Sequence, residues 1–148
     1  MIREGEMKDI EALLPLWLAS TTLAHPFISP EYWQESLPSV RDLYLPRART
    51  WIVERGGEPE GFISVLDERF IGALFVAPEK LGEGIGAALL CHAKQHYDDL
   101  SLEVYQQNAR AVRFYHAQGF RIAASAWQEE TQHSTWIMRW RADQTPSR

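Results

Sequence analysis

The sequence predicts a mixed α/β fold, with helices flanking a central, mostly antiparallel sheet. Three observations predict it. Apolar residues first recur at helical spacing; a run of short strands with a glycine-glycine turn follows; strand and helix then alternate before a closing pair of strands. The 148 residues are the size of one domain, expected over residues 1–140 with a tail at 141–148.

The elements follow in order. Ile10, Leu13, Leu14, Trp17 and Leu18 make one face of an amphipathic helix. Pro15 falls inside it and is expected to kink or split it, because it removes the bond to the Glu11 carbonyl. Ser29-Pro30 opens a second helix, as N-cap and first helical residue. Trp33, Leu37, Val40 and Tyr44 mark its buried side, and Pro38 is expected to interrupt it. Residues 50–54 and 62–67 read as two strands of a hairpin around Gly56-Gly57. Residues 70–76, "FIGALFV", are apolar on both faces and therefore belong at the centre of the sheet. A glycine loop leads into a helix over 84–96. A strand at 100–105 and a helix at 108–118 follow, with Gly119 as the helix stop. "RIAASAW" and "TWIMRW" are the last two strands, joined by the polar "QEETQHS".

Composition narrows the function. A hydrophobic content of 45% with six tryptophans supports a sizeable core. The net charge is -5 and no Lys/Arg run occurs, so no nucleic-acid face is expected. A basic protein partner is electrostatically compatible. The lone Cys91 excludes an intrachain disulfide, fits a reducing compartment and reads as a small buried helix residue. The charged start "MIREGEMKDI" shows no signal peptide, and no apolar run reaches the ~18 residues of a membrane span. A cytoplasmic protein, monomer or homodimer, with no membrane partner, is expected. His92 and His96 are spaced i, i+4 but lack a third ligand, so no metal is expected.

The stretch "LFVAPEKLGEGIGAALL" reads as strand, glycine loop and helix start, which is a phosphate-binding arrangement. Two readings compete. Gly82, Gly84 and Ala87 satisfy G-x-G-x-x-G/A, and Glu103 lies about 20 residues on, as in a dinucleotide fold. Against this, five residues separate strand and loop, helices and a hairpin come first, and too little chain remains for a doubly wound sheet. The other reading is a backbone cradle for a pyrophosphate at a helix N-terminus, where orphan N–H groups and the helix dipole meet the anion. Glycines allow the close approach. No Gly-Lys-Ser/Thr follows, so a P-loop is excluded.

The loop "LGEGIGAALL" followed by "LEVYQQNARAVRFYHAQGF" resembles the GNAT-type N-acetyltransferases. Gly84 and Gly86 match the family's glycine loop, while Leu81 stands where Gln or Arg is usual. Asn108, Ala111, Phe114, Tyr115, Gly119 and Phe120 match the second motif. The segments "STTLAHPFI", "LEVYQQN", "AWQEETQ" and "TWIM" are similar to one bacterial subgroup, the YiaC-type protein-lysine acetyltransferases. The resemblance implies about seven strands and about four helices in the order β-α-α-β-β-β-α-β-α-β-β. It also implies acetyl-CoA as co-substrate and a primary amine as acceptor, most simply a protein lysine. The alternatives are a small amine, a protein N-terminus, or a non-catalytic acyl-CoA sensor.

Acetyl transfer to an amine needs a neutral nucleophile, an oxyanion donor and a proton for the departing thiolate. The resemblance places the cofactor against Phe75, Val76, Gly82, Gly84, Ile85, Gly86, Ala87, Asn108 and Tyr115. The oxyanion donor would be a backbone N–H near Phe75 and Val76. Tyr115 would protonate the thiolate; the alternative is a core aromatic. Asn108 would bond the pantetheine arm, cap its helix, or both. The base is open. Glu103 faces the same side as Tyr105 and either borders the acceptor site or is an ordinary strand glutamate. Glu68 is a second candidate, and a water chain a third possibility. The resemblance sets His25, Phe27 and Phe70 at the acceptor entrance, with an inward-packed turn as the alternative reading of "AHPFI". Glu129 and Glu130 would favour a lysine-bearing peptide nearby.

Overall fold

Seven strands form one sheet in the order β1-β2-β3-β4-β5-β7-β6. The computed structural model describes residues 2–67 and 69–144. Its strands are β1 (Ile2–Glu4), β2 (Arg49–Arg55), β3 (Glu58–Leu66), β4 (Phe70–Val76), β5 (Asp99–Tyr105), β6 (Arg121–Gln128) and β7 (His133–Arg141). The helices are α1 (Ile10–Ala24), α2 (Pro30–Ser39), α3 (Ile85–Lys94) and α4 (Ala109–Ala117). Neighbouring strands run antiparallel except β4 and β5, which are parallel.

Alternation along the strands makes two cores. Trp51, Ile63, Leu100, Leu102 and Met138 face Leu89 and Leu90 of α3. Ile52, Phe62 and Tyr105 face Leu13, Trp17 and Trp33 of α1 and α2. Phe62 and Ile63 are each 0% exposed, so each contributes about 1.5–3 kcal/mol on opposite sides of one strand. The sheet is thus sandwiched, and β4 sits at its middle as its two-sided apolar pattern requires.

Several sequence expectations are corrected here. α1 runs unbroken past Pro15. Only one backbone bond is lost there, and Leu13, Leu16, Trp17 and Thr21 hold the helix on the sheet. α2 likewise passes through Pro38 and continues as a π-helical turn over Val40–Tyr44, a wider winding that absorbs an irregular bonding ladder. That turn rotates Tyr44 outward, where it is exposed. Ser29 caps α2, accepting from the Glu31 N–H. The hairpin turn is tighter than expected: Arg55 pairs with Glu58, and Gly56 and Gly57 both take positive φ. Cys91 is exposed, because α3 buries Leu89, Leu90 and Ala93 instead. β7 extends through Arg141, paired with Asp99, and a short turn carries the chain to Gln144. Residues 145–148 of the expected tail lie outside the described residues, as does Glu68.

Candidate functional site

β4 and β5 pair at Phe70 and Ser101, at the start of β4, with no further register partner among the described residues. Beyond that point the two strands part. Two features of β4 accompany the separation. Ser64 pairs with Ala73 and Val65 with Ile71, so Gly72 is an extra, bulged residue. Ala77 donates its N–H to Glu60, which makes that a hydrogen-bonded pair. By antiparallel alternation Phe75 also bonds toward β3, whereas Leu74 and Val76 turn their N–H groups toward β5. Of the two expected oxyanion donors, only Val76 therefore offers its amide to the opening. Its carbonyl accepts the Ser20 hydroxyl at 3.0 Å, which ties α1 to the end of β4.

The opening is part of a cleft of about 860 Å³. One end is the glycine loop. Gly82 and Gly84 have φ +86 and +85, and a Cβ on either would meet nothing within 4 Å, so the loop backbone lies open. Gly84 is the N-cap of α3, and the first bond of the helix runs from the Ala88 N–H to its carbonyl. The amides of Ile85, Gly86 and Ala87 precede that first bond and are the orphan donors of the helix end. These residues fit a diphosphate. Leu81 lines the same cleft, 40% exposed, with no polar side-chain group to offer.

Asn108, Phe114 and Tyr115 also line the cleft. Asn108 caps α4, its Oδ1 accepting from the Ala111 N–H at 3.2 Å. Gly119 at φ +96 ends the helix. Tyr115 packs edge-on against Phe114 and Phe120. Its hydroxyl has no hydrogen-bond partner among the described residues, and burial pushes it well above the ordinary phenol range. It stays protonated at neutral pH.

The other end lies under α1 and α2. Glu103 lines it, and its carboxylate accepts the hydroxyl of buried Thr135 at 2.5 Å. Phe70 and His25 line it too. Phe27 is not among the lining residues; it packs against His25, Tyr105 and His133. Tyr105 donates its hydroxyl to Gln128 at 2.6 Å, and burial raises its pKa. Glu130 acts electrostatically on Tyr32 and Tyr105, so the β6–β7 loop lies near that end of the cleft. Trp33 Nε1 is the one sealed side-chain polar atom without a partner among the described residues, and Trp33 lines the cleft. Spacing alone did not single out Tyr105, Gln128, Trp33 or Thr135 as site residues. His92 and His96 lie elsewhere, His92 edge-on and His96 tilted against Trp51. Among the described residues no group of three or more His, Cys, Asp or Glu could hold a metal, and no helix is long and apolar enough to cross a membrane.

Comparison with known proteins agrees with this geometry. The model of the acetyltransferase (GNAT) domain matches residues 6–142. The peptidyl-lysine N-acetyltransferase YiaC of Escherichia coli K12 is 50% identical, covering 98% of this chain and 99% of its own. The peptidyl-lysine N-acetyltransferase YjaB of the same organism is 35% identical over 82% of each chain. The solution structure of apo YjaB from E. coli superposes with a TM-score of 0.80 at 29% identity, covering 95% of this chain and 96% of that one. PaiA N-acetyltransferase from Thermoplasma acidophilum, solved in complex with coenzyme A, shares the fold with a TM-score of 0.76 at 20% identity, covering 95% and 98%. A splayed central strand pair, a glycine loop opening a helix and a family match over almost the whole length lead to one conclusion: the chain belongs to the GNAT family of N-acetyltransferases.

Proposed function

We propose that the protein moves the acetyl group of acetyl-CoA to the side-chain amine of lysine in other proteins. The observation that carries this reading is the parting of β4 and β5, which joins the α3 amides to an acidic acceptor end through one cleft. The 50% identity to an enzyme named for peptidyl-lysine supports the acceptor class.

Gly82, Gly84, Ile85, Gly86 and Ala87 hold the coenzyme A diphosphate through backbone N–H groups. Asn108 holds the pantetheine arm with the side-chain amide left over from capping α4. The thioester then lies between β4 and β5. The Val76 N–H faces the carbonyl oxygen and stabilises the negative charge that develops there. The amine nitrogen attacks the carbonyl carbon, the C–N bond forms, and the C–S bond breaks. Coenzyme A leaves as a thiolate and takes the Tyr115 proton, and the proton that the nitrogen sheds as the amide forms restores Tyr115. Phe70 shapes the acceptor entrance, and Phe27 supports His25 from behind. Glu103, anchored by Thr135, supplies negative charge that draws the ammonium inward.

A lysine-bearing peptide library incubated with acetyl-CoA tests the reading. Mass spectrometry is expected to find acetyl groups on lysine side chains. Turnover of polyamines with no acetylated peptide rejects the protein-lysine acceptor. Absence of a saturable acetyl-CoA complex rejects the co-substrate.

A further inference from the structure

The acceptor arrives as an ammonium, with an ordinary pKa near ~10.4, and must lose a proton before it attacks. β4 carries no carboxylate, and Glu103 is already engaged by Thr135. His25 is a different kind of group. It stands just past the C-terminal end of α1, is 8% exposed and lines the cleft. Its Nδ1 lies 2.8 Å from the Thr21 carbonyl oxygen. A carbonyl only accepts, so Nδ1 carries the hydrogen and the neutral ring presents a bare Nε2. Nε2 has no hydrogen-bond partner among the described residues. It is also absent from the sealed polar atoms, so it keeps access to the cleft.

The surroundings fix the ring. Tyr105, Trp33 and Phe27 lie against it with centroids at 5.1, 5.2 and 5.7 Å. Tyr105 is itself held by Gln128.

We propose that His25 Nε2 takes the proton of the incoming ammonium; this rests on the acetyltransferase reading above. The balance is simple. One N–H proton passes to Nε2 and on to solvent. The amine attacks, the second N–H proton is lost as the amide forms, and it replaces the proton that Tyr115 gives to the thiolate. Burial holds the imidazole below its ordinary 6.5, so the ring is neutral and competent at pH 7. Transfer from an unperturbed ammonium is then more than about 10⁴-fold uphill, and desolvation of the ammonium among these rings narrows that gap. Among the described residues the titratable groups around this corner are Tyr32 from α2, Tyr44 from the π-helical turn after it, Glu103 and Tyr105 from β5, Glu130 from the β6–β7 turn, and His133 from β7.

The test compares wild type, His25→Asn and His25→Ala with two acceptors. One is a lysine peptide; the other is trifluoroethylamine, a weakly basic amine already neutral at pH 7. Asn keeps a donor for the Thr21 carbonyl, and thermal melts and acetyl-CoA titration verify that each variant is folded and loaded. The expected result is a loss of about 10²-fold or more in kcat with the peptide, no acid limb in the pH profile, and a loss under about threefold with trifluoroethylamine. Added imidazole is expected to restore His25→Ala in proportion to its free base. Equal losses with both acceptors, or a wild-type acid limb in His25→Asn, overturn the proposal. If wild type ignores every lysine peptide but acetylates a polyamine, only the acceptor class fails, and the His25 comparison is read on the polyamine.

Discussion

Ser20 of α1 donates its hydroxyl to the Val76 carbonyl at 3.0 Å, joining the first helix to the last residue of the central strand. The Val76 carbonyl is free to accept because its pairing position turns it away from β3. The same peptide-bond geometry turns the Val76 N–H toward the gap. Ser20 is 6% exposed, so its loss leaves a carbonyl without its partner. Ser20→Ala is expected to cost about 1 kcal/mol in a urea melt. It should also lower kcat, with little change in acetyl-CoA affinity, because α3 and its loop are untouched. An unchanged kcat would mean that the strand end holds its place without α1.

In the proposed mechanism Tyr115 protonates the leaving thiolate. Its hydroxyl has no competing partner among the described residues, and burial keeps it protonated beyond the ordinary phenol range. Tyr115→Phe keeps the ring and its contacts with Phe114 and Phe120 while removing the proton. The expected fall in kcat is about 10²–10⁴-fold, with the acetyl-CoA dissociation constant within about threefold of wild type. Release of free thiol from acetyl-CoA, followed in the presence of a lysine peptide, reads both. Because the phenol pKa is raised, wild-type activity should show no alkaline loss from Tyr115 until well above pH 10.

How much of this was legible in the sequence depended on the range of the physics involved. Local rules worked. Ser29 and Asn108 read as caps, Gly56-Gly57 as a hairpin and Gly119 as a helix stop, because each rests on the conformation of a few adjacent residues. The glycine loop was legible for the same reason. Pro15 and Pro38 do not split their helices, since tertiary packing supplies more than one missing backbone bond removes. The parting of β4 and β5 was illegible from spacing, because it follows from which neighbours each strand finds. The Thr135–Glu103 bond spans 32 residues, and the burial of His25 depends on rings from α2 and β5. Residue types were visible; the company they keep was not.

Gly84 tests the proposed cofactor end by a different route. At φ +85 it occupies a conformation that side chains rarely adopt, yet a Cβ there would touch nothing. Strain and crowding are therefore separable at this position. Gly84→Ala is expected to cost about 1 kcal/mol in stability through strain alone. Any loss of acetyl-CoA affinity beyond what local unfolding explains then reports a bound group close to the backbone. Isothermal titration of the variant with acetyl-CoA should show at least a tenfold weaker complex. An affinity equal to wild type would place the diphosphate elsewhere.

His25 and Asp9 predict two separate pH windows for stability. Burial depresses the His25 pKa below its ordinary 6.5. The unfolded chain therefore binds a proton that the native state refuses, and the stability from neutral His25 is fully present above about 6.5. It falls as pH drops through the folded-state value. Asp9 works lower. Arg3 grips its carboxylate through two bonds, at 3.0 and 2.9 Å, and holds its pKa at about 2 against 3.8. That contribution is present above about 4 and is lost as pH falls toward 2. Melting temperature against pH should thus decline in two stages. His25→Asn should flatten the upper stage and leave the lower one. Arg3→Ala should remove the lower stage and leave the upper one, lowering stability at neutral pH by about 1 kcal/mol. A His25→Asn protein that still loses stability between pH 6.5 and 5 as wild type does would show that the buried imidazole is not the group being titrated.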